Sequence, residues 1–308
     1  MSTSLSAAEF RDLYHRLAEA TSRGADDRRG ALDNITPAEV LAAAADVRTG
    51  RTVSLARPIE NVPAPDNPHP LQHEMIGYAA DRIRVPGLEF GADRFRMNVH
   101  GDADSHIDAL CHVIYDDKLY NGIDVETLTP TGASALTIET AHDGIVGRGV
   151  LLDIPRVRGV SWLEPGDSVT VDDLVAAERD EGLRVTRGDL LFVRVGHSRR
   201  RTELGPWDAA STRAGLHPTA MEFVSDREVA VLGSDGNSDT APSTTEGVAF
   251  PVHVLAINAM GVQLLDYLRF EDLVPLCEES HRWSFLCVIA PLRLPAATGS
   301  PINPIAIV

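Results

Sequence analysis

The segment from Asn98 to His112 constrains the fold of this chain more than any other, because its polar side chains fall at alternate positions. In an extended segment, side chains two residues apart lie on one face. Such a dense group of carboxylates and imidazoles is costly unless a divalent cation or another charge compensates it. The segment therefore predicts an extended stretch at a site that carries chemistry. The groups at even positions are His100, Asp102, Asp104, His106, Asp108 and His112.

The length of 308 residues allows one large domain or two ordinary ones, with a sizeable core. A formal net charge of −17 argues against nucleic acid or an anionic membrane as a partner. The sequence has neither an apolar run of about 18 residues nor the pattern of a signal peptide. Cys111, Cys277 and Cys287 have no C-x-x-C spacing, which argues against a disulfide framework or a structural zinc site. We expect a cytoplasmic protein that binds a small molecule.

Helical patterns come first in the chain and strand patterns follow. Thr36-Pro-Ala-Glu39 is a capping box with proline at the first helical position, after an earlier amphipathic helix. Beyond residue 91, apolar runs bounded by Gly, Pro and Asp predict buried strands. Residues 251–268 are apolar enough to form a buried helix. We place an N-terminal helical extension at 1–50 and the main α/β body at 51–308.

His106 and Asp108 form the tightest unit of the polar segment, an i, i+2 pair on one face of an extended chain. Asp102 precedes this pair by four residues and His112 follows it by four. Imidazole with carboxylate suits zinc, manganese or iron(II), and the scarcity of thiolates favours the harder metals. The alternative is that these groups are hydrogen-bonded partners at a strand end or solvated loop residues.

The pattern D-x-x-x-H-x-D-A-L-x-H over residues 102–112 resembles the signature of the cyclase-like metal-dependent hydrolases. The usual form of that signature is H-x-G-T-H-x-D-x-P-x-H, and bacterial kynurenine formamidases and isatin hydrolases carry it. The resemblance extends over residues 94–308. It implies a swivelling β/β/α three-layer fold with a mixed sheet or barrel-like core, and assembly as a homodimer or homotetramer.

The resemblance also implies roles for individual residues of this segment. His106 and Asp108 match metal ligands, and His112 matches a histidine used in proton transfer. Asp102 stands where the family has its first histidine. A carboxylate can still bind a metal there, and spacing favours Asp102 over the alternative, His100 on the same face.

The second half of the implied site lies more than a hundred residues later. The segment Asp235-Gly-Asn-Ser-Asp239, followed by His253, resembles the family's D-x-x-S-x-D…H element, which brings a histidine to the metal. Twelve residues after that histidine the family has a bridging glutamate, but this chain has Leu265. Asp266 is a nearby carboxylate. This departure favours a single ion.

The implied site is thus a mononuclear manganese or zinc site. Its expected ligands are Asp102, His106, Asp108 and His253, with His100 or Asp266 as a further ligand or as a hydrogen-bond partner of a ligand. His69 and His73, in the loop before the main body, are candidate substrate contacts if they line the pocket mouth. Solvent exposure of both is the simpler interpretation.

The implied reaction is hydrolysis of an amide-type C–N bond in a formamide, cyclic amide or imide. A divalent ion would activate the water, and His112 would carry the proton. Two alternatives stay open. One is a metal-dependent cyclase or dehydratase of polyketide or other secondary metabolism, and the other is a catalytically inactive binding protein. The absence of a G-x-S-x-G elbow argues against a serine hydrolase.

Overall fold

The computed structural model describes residues 4–76 and 83–308, with the side chains of 83–85 excepted. Within these ranges the chain forms eight α-helices and seventeen strands. The helices are α1 (Ala7–Ala20), α2 (Pro37–Ala45), α3 (Ile154–Arg158), α4 (Val171–Asp180), α5 (His197–Leu204), α6 (Ala220–Asp226), α7 (Pro251–His253) and α8 (Val274–Ser280). None of the described helices combines the length and the apolar content needed to cross a bilayer.

Short strands outnumber long ones. They are β1 (Thr52–Ser54), β2 (Gln72–Met75), β3 (Ile83–Val85), β4 (Leu88–Phe90), β5 (Asp93–Arg96), β6 (His106–Asp108), β7 (Leu128–Thr129), β8 (Gly132–Ala133), β9 (Ile145–Asp153), β10 (Ser168–Val169), β11 (Leu190–Arg194), β12 (Gly215–Leu216), β13 (Val231–Ser234), β14 (Gln263–Asp266), β15 (Ser284–Ile289), β16 (Gly299–Pro301) and β17 (Ile305–Ile307).

One mixed sheet of nine strands, curled into a half-barrel, organises the described part of the chain. Its order is β1-β17-β15-β9-β11-β13-β14-β6-β16. The four central strands β9, β11, β13 and β14 are parallel, and the strands on either side of them pair antiparallel. Parallel strands are covered on both faces, so they are mostly apolar, as in residues 190–193 of the fully buried β11. The prediction of an α/β body with a mixed, barrel-like sheet is confirmed.

The N-terminal helices pack against this sheet and its connections. Ser6 caps α1 and Thr36 caps α2, each through a reciprocal bond pair with the glutamate three residues on. Phe10, Leu13 and Leu17 of α1 belong to the same hydrophobic core as the sheet. Helix α2 packs on β9 and β15. The capping-box helix is confirmed, and the division at Gly50 stays a prediction about domain organisation.

The prediction of one buried helix over 251–268 is wrong. Helix α7 continues into a π-helical segment, Val254–Ala259, and the chain then turns and enters strand β14. Gly261 stops the helix because its φ of +68° is left-handed, a conformation that ends helices and that glycine adopts readily. The apolar residues after it fit the central sheet equally well, so composition alone did not reveal the change. The consequence is that Asp266 lies at the end of a parallel strand.

Candidate metal site

Strand β6 places His106 and Asp108 side by side at the edge of the parallel strands. It pairs antiparallel with β14 and β16, with His106 opposite Asp266, and all three of its residues are buried. Because side chains two apart share a face, His106 Nε2 lies 3.6 Å from Asp108 Oδ1. The extended stretch is shorter than predicted, since residues 99–104 form bends instead. The i, i+2 argument therefore holds for this pair and not for the whole segment.

The Asp108 carboxylate lies among imidazoles. His100 Nδ1 is hydrogen-bonded to Asp108 Oδ1 at 2.8 Å, and His253 Nε2 lies 3.5 Å from Asp108 Oδ2. The rings of His100 and His112 stack with their centroids 3.6 Å apart. Donor atoms of His100, Asp108 and His112 all lie within 4.8 Å of one another. The structure thus brings His100 into this group of three, and Asp102, His106 and His253 are outside it.

The electrostatics of this cluster favour an ionised Asp108 carboxylate and a neutral His112. Burial by itself would raise the pKa of Asp108, but the surrounding imidazoles, His112 foremost, hold that pKa well below its usual range. Burial lowers the pKa of His112 to about 4, with Asp108 opposing the shift and the other imidazoles adding to it. At neutral pH His112 therefore keeps a free nitrogen lone pair, the form that binds a metal or accepts a proton.

His253 reaches the cluster from the start of α7. The Asp239 carboxylate accepts the backbone N–H groups of Val252 and His253, at 2.6 and 3.1 Å, and lies 2.6 Å from His253 Nδ1. This contact turns the other ring nitrogen towards Asp108 and Asp266, whose nearest oxygens are 3.5 and 3.4 Å away. Burial would lower the pKa of His253, but the three carboxylates outweigh it and raise that pKa well above its usual value. The site is therefore negative enough to attract a proton or a cation.

Asp266, and not Leu265, is the residue of β14 that faces the site. Leu265 faces the core, opposite Ile107, whereas Asp266 faces the site. Its Oδ1 accepts the backbone N–H of Ser238 at 3.1 Å and the Ser238 hydroxyl at 2.8 Å, and its Oδ2 accepts the Asn237 amide at 2.7 Å. Asp266 thus joins the end of β14 to the loop after β13 and lies against His253.

Hydrogen bonds to neighbouring residues orient the other polar side chains of the site. His106 Nδ1 is 2.8 Å from the backbone carbonyl of Asp104, which leaves Nε2 pointing at Asp108. His100 Nε2 is 2.9 Å from the hydroxyl of Thr298. Asp102 Oδ1 accepts a hydrogen bond of 2.8 Å from the hydroxyl of Tyr267. Every one of these side chains is oriented by a partner distant in sequence or by the backbone.

A cavity of about 560 Å³ opens over this cluster. Imidazoles of His106, His112 and His253 form its polar floor together with Asp102. Apolar side chains form a further part of its wall, including Ile114 and Phe250, which are 47% and 45% exposed. A floor of ionisable groups under an apolar wall is typical of a small-molecule site. The cavity suits a ligand with a polar reacting group and an apolar ring or chain.

His69 and His73 lie elsewhere. Both line a separate cavity of about 640 Å³, beside Arg96 and Asn98. His73 belongs to the exposed strand β2, and its Nε2 is 2.9 Å from Asp93 Oδ2. The structure does not bring these two histidines to the cluster around Asp108, and their contact with substrate stays a prediction.

The donor set fits a divalent cation. Asp108 Oδ2 is buried and has no hydrogen-bond partner in the described part of the chain. Such an atom is rare unless an ion or water satisfies it. Imidazole nitrogens and carboxylate oxygens are ligands of zinc and manganese, and no thiolate joins them. The residues present therefore suit the ion that the sequence predicts.

Sequence reasoning missed the residues that orient this site. Tyr267 and Thr298 carry no motif of their own, and only folding brings them to Asp102 and His100. Asp239 belongs to the element noted for His253, so its spacing could have suggested the contact that the structure shows. Phe250 and Ile114 of the cavity wall could not be told from core residues by composition.

Comparison with known proteins agrees with this geometry. The model of the Cyclase family matches residues 34–239, more than half of the chain. A crystal structure of a novel cyclase is 30% identical, with a TM-score of 0.84 over 96% of this chain and 99% of that chain. The chain belongs to the cyclase family.

More distant structures share the fold. Isatin hydrolase A from Ralstonia solanacearum is 22% identical, with a TM-score of 0.55 over 88% of this chain and 97% of that chain. A protein of Bacillus stearothermophilus described as a predicted metal-dependent hydrolase is 18% identical, with a TM-score of 0.52 over 83% of this chain and 97% of that chain. No curated protein matches the chain. The expected fold class, an α/β cyclase-family body, is therefore confirmed.

Proposed function

We propose that this protein is a metal-dependent hydrolase of amide-type C–N bonds, acting on a formamide, cyclic amide or imide. One observation carries the proposal. The buried Asp108 carboxylate has an oxygen without a hydrogen-bond partner, and imidazoles surround it at the floor of an open cavity. A buried carboxylate without a compensating charge destabilises a fold, so the Asp108 carboxylate at this position indicates a bound cation.

The proposed ligands are His106, Asp108 and His253, with His100 as the imidazole that completes the set. They suit one manganese or zinc ion. A divalent ion bound here would supply Lewis acidity to a substrate carbonyl and would lower the pKa of a coordinated water. Asp239 holds His253 through Nδ1, and the Asp104 carbonyl holds His106 through Nδ1, so that each Nε2 faces an oxygen of Asp108.

His112 is the proposed proton carrier. It lines the cavity, and its pKa of about 4 keeps it neutral at physiological pH. A neutral imidazole can take a proton from the attacking water and return it to the departing nitrogen. Stacking on His100 holds the ring in place during both transfers.

The cavity wall indicates the substrate class. Phe250 lies edge-on to His253, with ring centroids 5.6 Å apart, and is exposed towards the cavity. An aromatic or fused-ring amide could rest on this apolar wall with its carbonyl at the polar floor. Isatin hydrolase, whose name states a fused-ring lactam substrate, has the same fold. That likeness supports a ring-bearing substrate.

A cyclase activity is the second candidate. The structure with the higher identity and coverage is described as a novel cyclase. In that case the same ion and the same proton carrier would promote ring closure with loss of water. Reaction in ¹⁸O-labelled water separates the two activities, because hydrolysis places the label in the carboxylate product and cyclisation does not.

The test of the hydrolase proposal starts with metal content. Purified protein, reconstituted with Mn²⁺ or Zn²⁺, should bind close to one ion per chain and hydrolyse formanilide or a fused-ring lactam. Replacement of His106 by Ala should abolish both properties. His15→Ala, at an exposed helical position outside the cavity, is the matched control and should change neither.

Two results would contradict the proposal. Absence of stoichiometric metal binding would favour the inactive binding protein. Full metal binding with no turnover of amides, but with ring closure of a test substrate, would favour the cyclase. The homodimer or homotetramer and the cytoplasmic location stay predictions, and sedimentation velocity would test the assembly.

A further inference from the structure

We propose that Asp102 recognises the N–H group of the substrate amide and that Tyr267 is the positioning residue that holds Asp102 for this purpose. The inference rests on the proposed function and deepens it, since it assigns the group that distinguishes an amide from an ester. It also gives Asp102 a role other than that of a metal ligand.

Burial, backbone hydrogen bonds and ring packing fix the position of Tyr267. Its side chain is fully buried, and its backbone has a left-handed φ of +57°, which is uncommon for a bulky residue. Its N–H donates to the carbonyl of Gly236 at 2.9 Å, and its carbonyl accepts the Ser105 hydroxyl at 2.6 Å. The ring packs between His106 and His197, with centroids 6.4 and 5.4 Å away. The phenol is therefore fixed in direction before any ligand binds.

Asp102 receives that phenol. Its Oδ1 accepts the hydrogen bond of 2.8 Å, and its Oδ2 has no hydrogen-bond partner among the described residues. Asp102 is half-buried and lines the cavity beside His106 and His112. One carboxylate oxygen is thus engaged by the protein and the other is available to a ligand.

The chemistry of this pair selects a hydrogen-bond donor. An ionised carboxylate only accepts hydrogen bonds, and a hydrogen bond to a charged group is stronger than one between neutral groups. An amide with its carbonyl at the floor near His106 presents its N–H to the side of the same cavity. A site built to bond an N–H strongly rejects the analogue that lacks it, because the protein group is then left unpaired. Asp102 therefore favours secondary amides and lactams over the matching esters and lactones.

The experiment measures binding in addition to turnover. Oxindole, a fused-ring lactam, and 2-coumaranone, in which oxygen replaces the N–H, differ in this one group. Their affinities are measured by calorimetry on metal-free protein, together with the affinity for Mn²⁺ alone. The chains compared are the wild type, Asp102→Asn, Tyr267→Phe and a control, Tyr120→Phe. Tyr120 donates to Asp27 Oδ2 at 2.5 Å and does not line the cavity, so it is a matched tyrosine–aspartate pair.

The wild type should prefer oxindole, and Asp102→Asn should reduce the preference by about tenfold or more. Tyr267→Phe should reduce it less, and in turnover of formanilide it should raise KM more than it lowers kcat. Both variants should bind Mn²⁺ within about threefold of the wild type, since ligand loss costs far more. Tyr120→Phe should match the wild type in all three measurements, and thermal melting shows whether each variant is folded.

Two outcomes overturn the inference. If Asp102→Asn leaves the preference for oxindole unchanged, Asp102 does not recognise the N–H group. Loss of Mn²⁺ affinity in Asp102→Asn makes Asp102 a metal ligand instead. Failure of the proposed function looks different, because the wild type would then hydrolyse no amide while its preference for oxindole still depended on Asp102.

Discussion

Two buried clusters of carboxylates lie near the ends of neighbouring strands and are compensated in different ways. In one, Arg194 at the end of β11 bonds both oxygens of Asp153 at 2.9 and 3.1 Å, and its Nη2 lies 3.7 Å from Glu271. In the other, Asp108 lies among imidazoles only. Arginine is charged at every ordinary pH and has no lone pair, whereas a neutral imidazole does. The first cluster has an arginine as its cation, and the second has imidazole lone pairs that can bind an exchangeable cation.

The electrostatics of the arginine cluster agree with this view. Burial would lower the pKa of Arg194, but Asp153, Asp235 and Glu271 outweigh it and raise that pKa. Asp235 accepts the backbone N–H of Val195 at 2.7 Å and is fully buried. One chain thus contains a structural ion cluster held by arginine and a candidate ligand-binding one, each built from strand-end residues of the same sheet.

The largest expected effect breaks the arginine cluster. Arg194→Met leaves Asp153 without its partner in the core and should lower the free energy of unfolding by about 3–5 kcal/mol. Urea denaturation measures the change. Arg16→Met, which breaks the exposed pair with Glu222, is the control and should cost less than about 1 kcal/mol. Equal losses in the two variants would contradict the distinction between buried and exposed pairs.

The next effect concerns the imidazole cluster. Asp108→Asn removes the central negative charge and should weaken Mn²⁺ binding by at least about 100-fold. Calorimetry on metal-free protein measures it. The folded fraction of Arg194→Met should bind Mn²⁺ like the wild type, because residue 194 lies outside the cavity. Retention of wild-type affinity in Asp108→Asn would show that the cation site is elsewhere.

A smaller effect follows from the group that orients His253. Asp239→Asn removes the negative acceptor at His253 Nδ1 and should weaken Mn²⁺ binding by about tenfold. Asp208→Asn is a suitable control, since Asp208 also accepts a backbone N–H, that of Ser211, outside the cavity. If both variants bind the ion equally, the orientation of His253 by Asp239 has no role in binding.

The last expected effect is a slope of stability with pH, which is small over any single pH unit. Burial and the nearby Glu271, with Arg194 opposing, raise the pKa of Asp235 to about 7. A carboxyl with a raised pKa binds its proton more tightly in the folded state, so its stabilising contribution is full at low pH and is lost as pH rises towards 7. Between pH 4.5 and 7 the wild type should lose up to about 1 kcal/mol per pH unit relative to Asp235→Asn. Parallel stability curves for the two chains would contradict this.

The sequence predicted the fold class and the pairing of His106 with Asp108, but not the contacts that orient these side chains. The i, i+2 spacing located His106 and Asp108 because adjacent residues on a strand face share their surroundings in every fold. Contacts made by tertiary packing, such as Thr298 with His100, leave no local pattern to recognise. The run 251–268 was misassigned for a related reason, because apolar residues serve a buried helix and a central strand equally well and Gly261 decided between them.

The pairing of β14 with β6 also limits how this protein can evolve. Leu265 lies opposite Ile107 in the core, and Asp266 lies opposite His106 at the site. A strand that slips by one residue exchanges its two faces. A single-codon deletion between Gly261 and Asp266 that shifts the residues after it would therefore place the Asp266 carboxylate in the core and Tyr267 at the site in one step. Point substitution can explore new chemistry here, but insertions and deletions in this strand cannot, and natural length variation should accumulate in the loops instead.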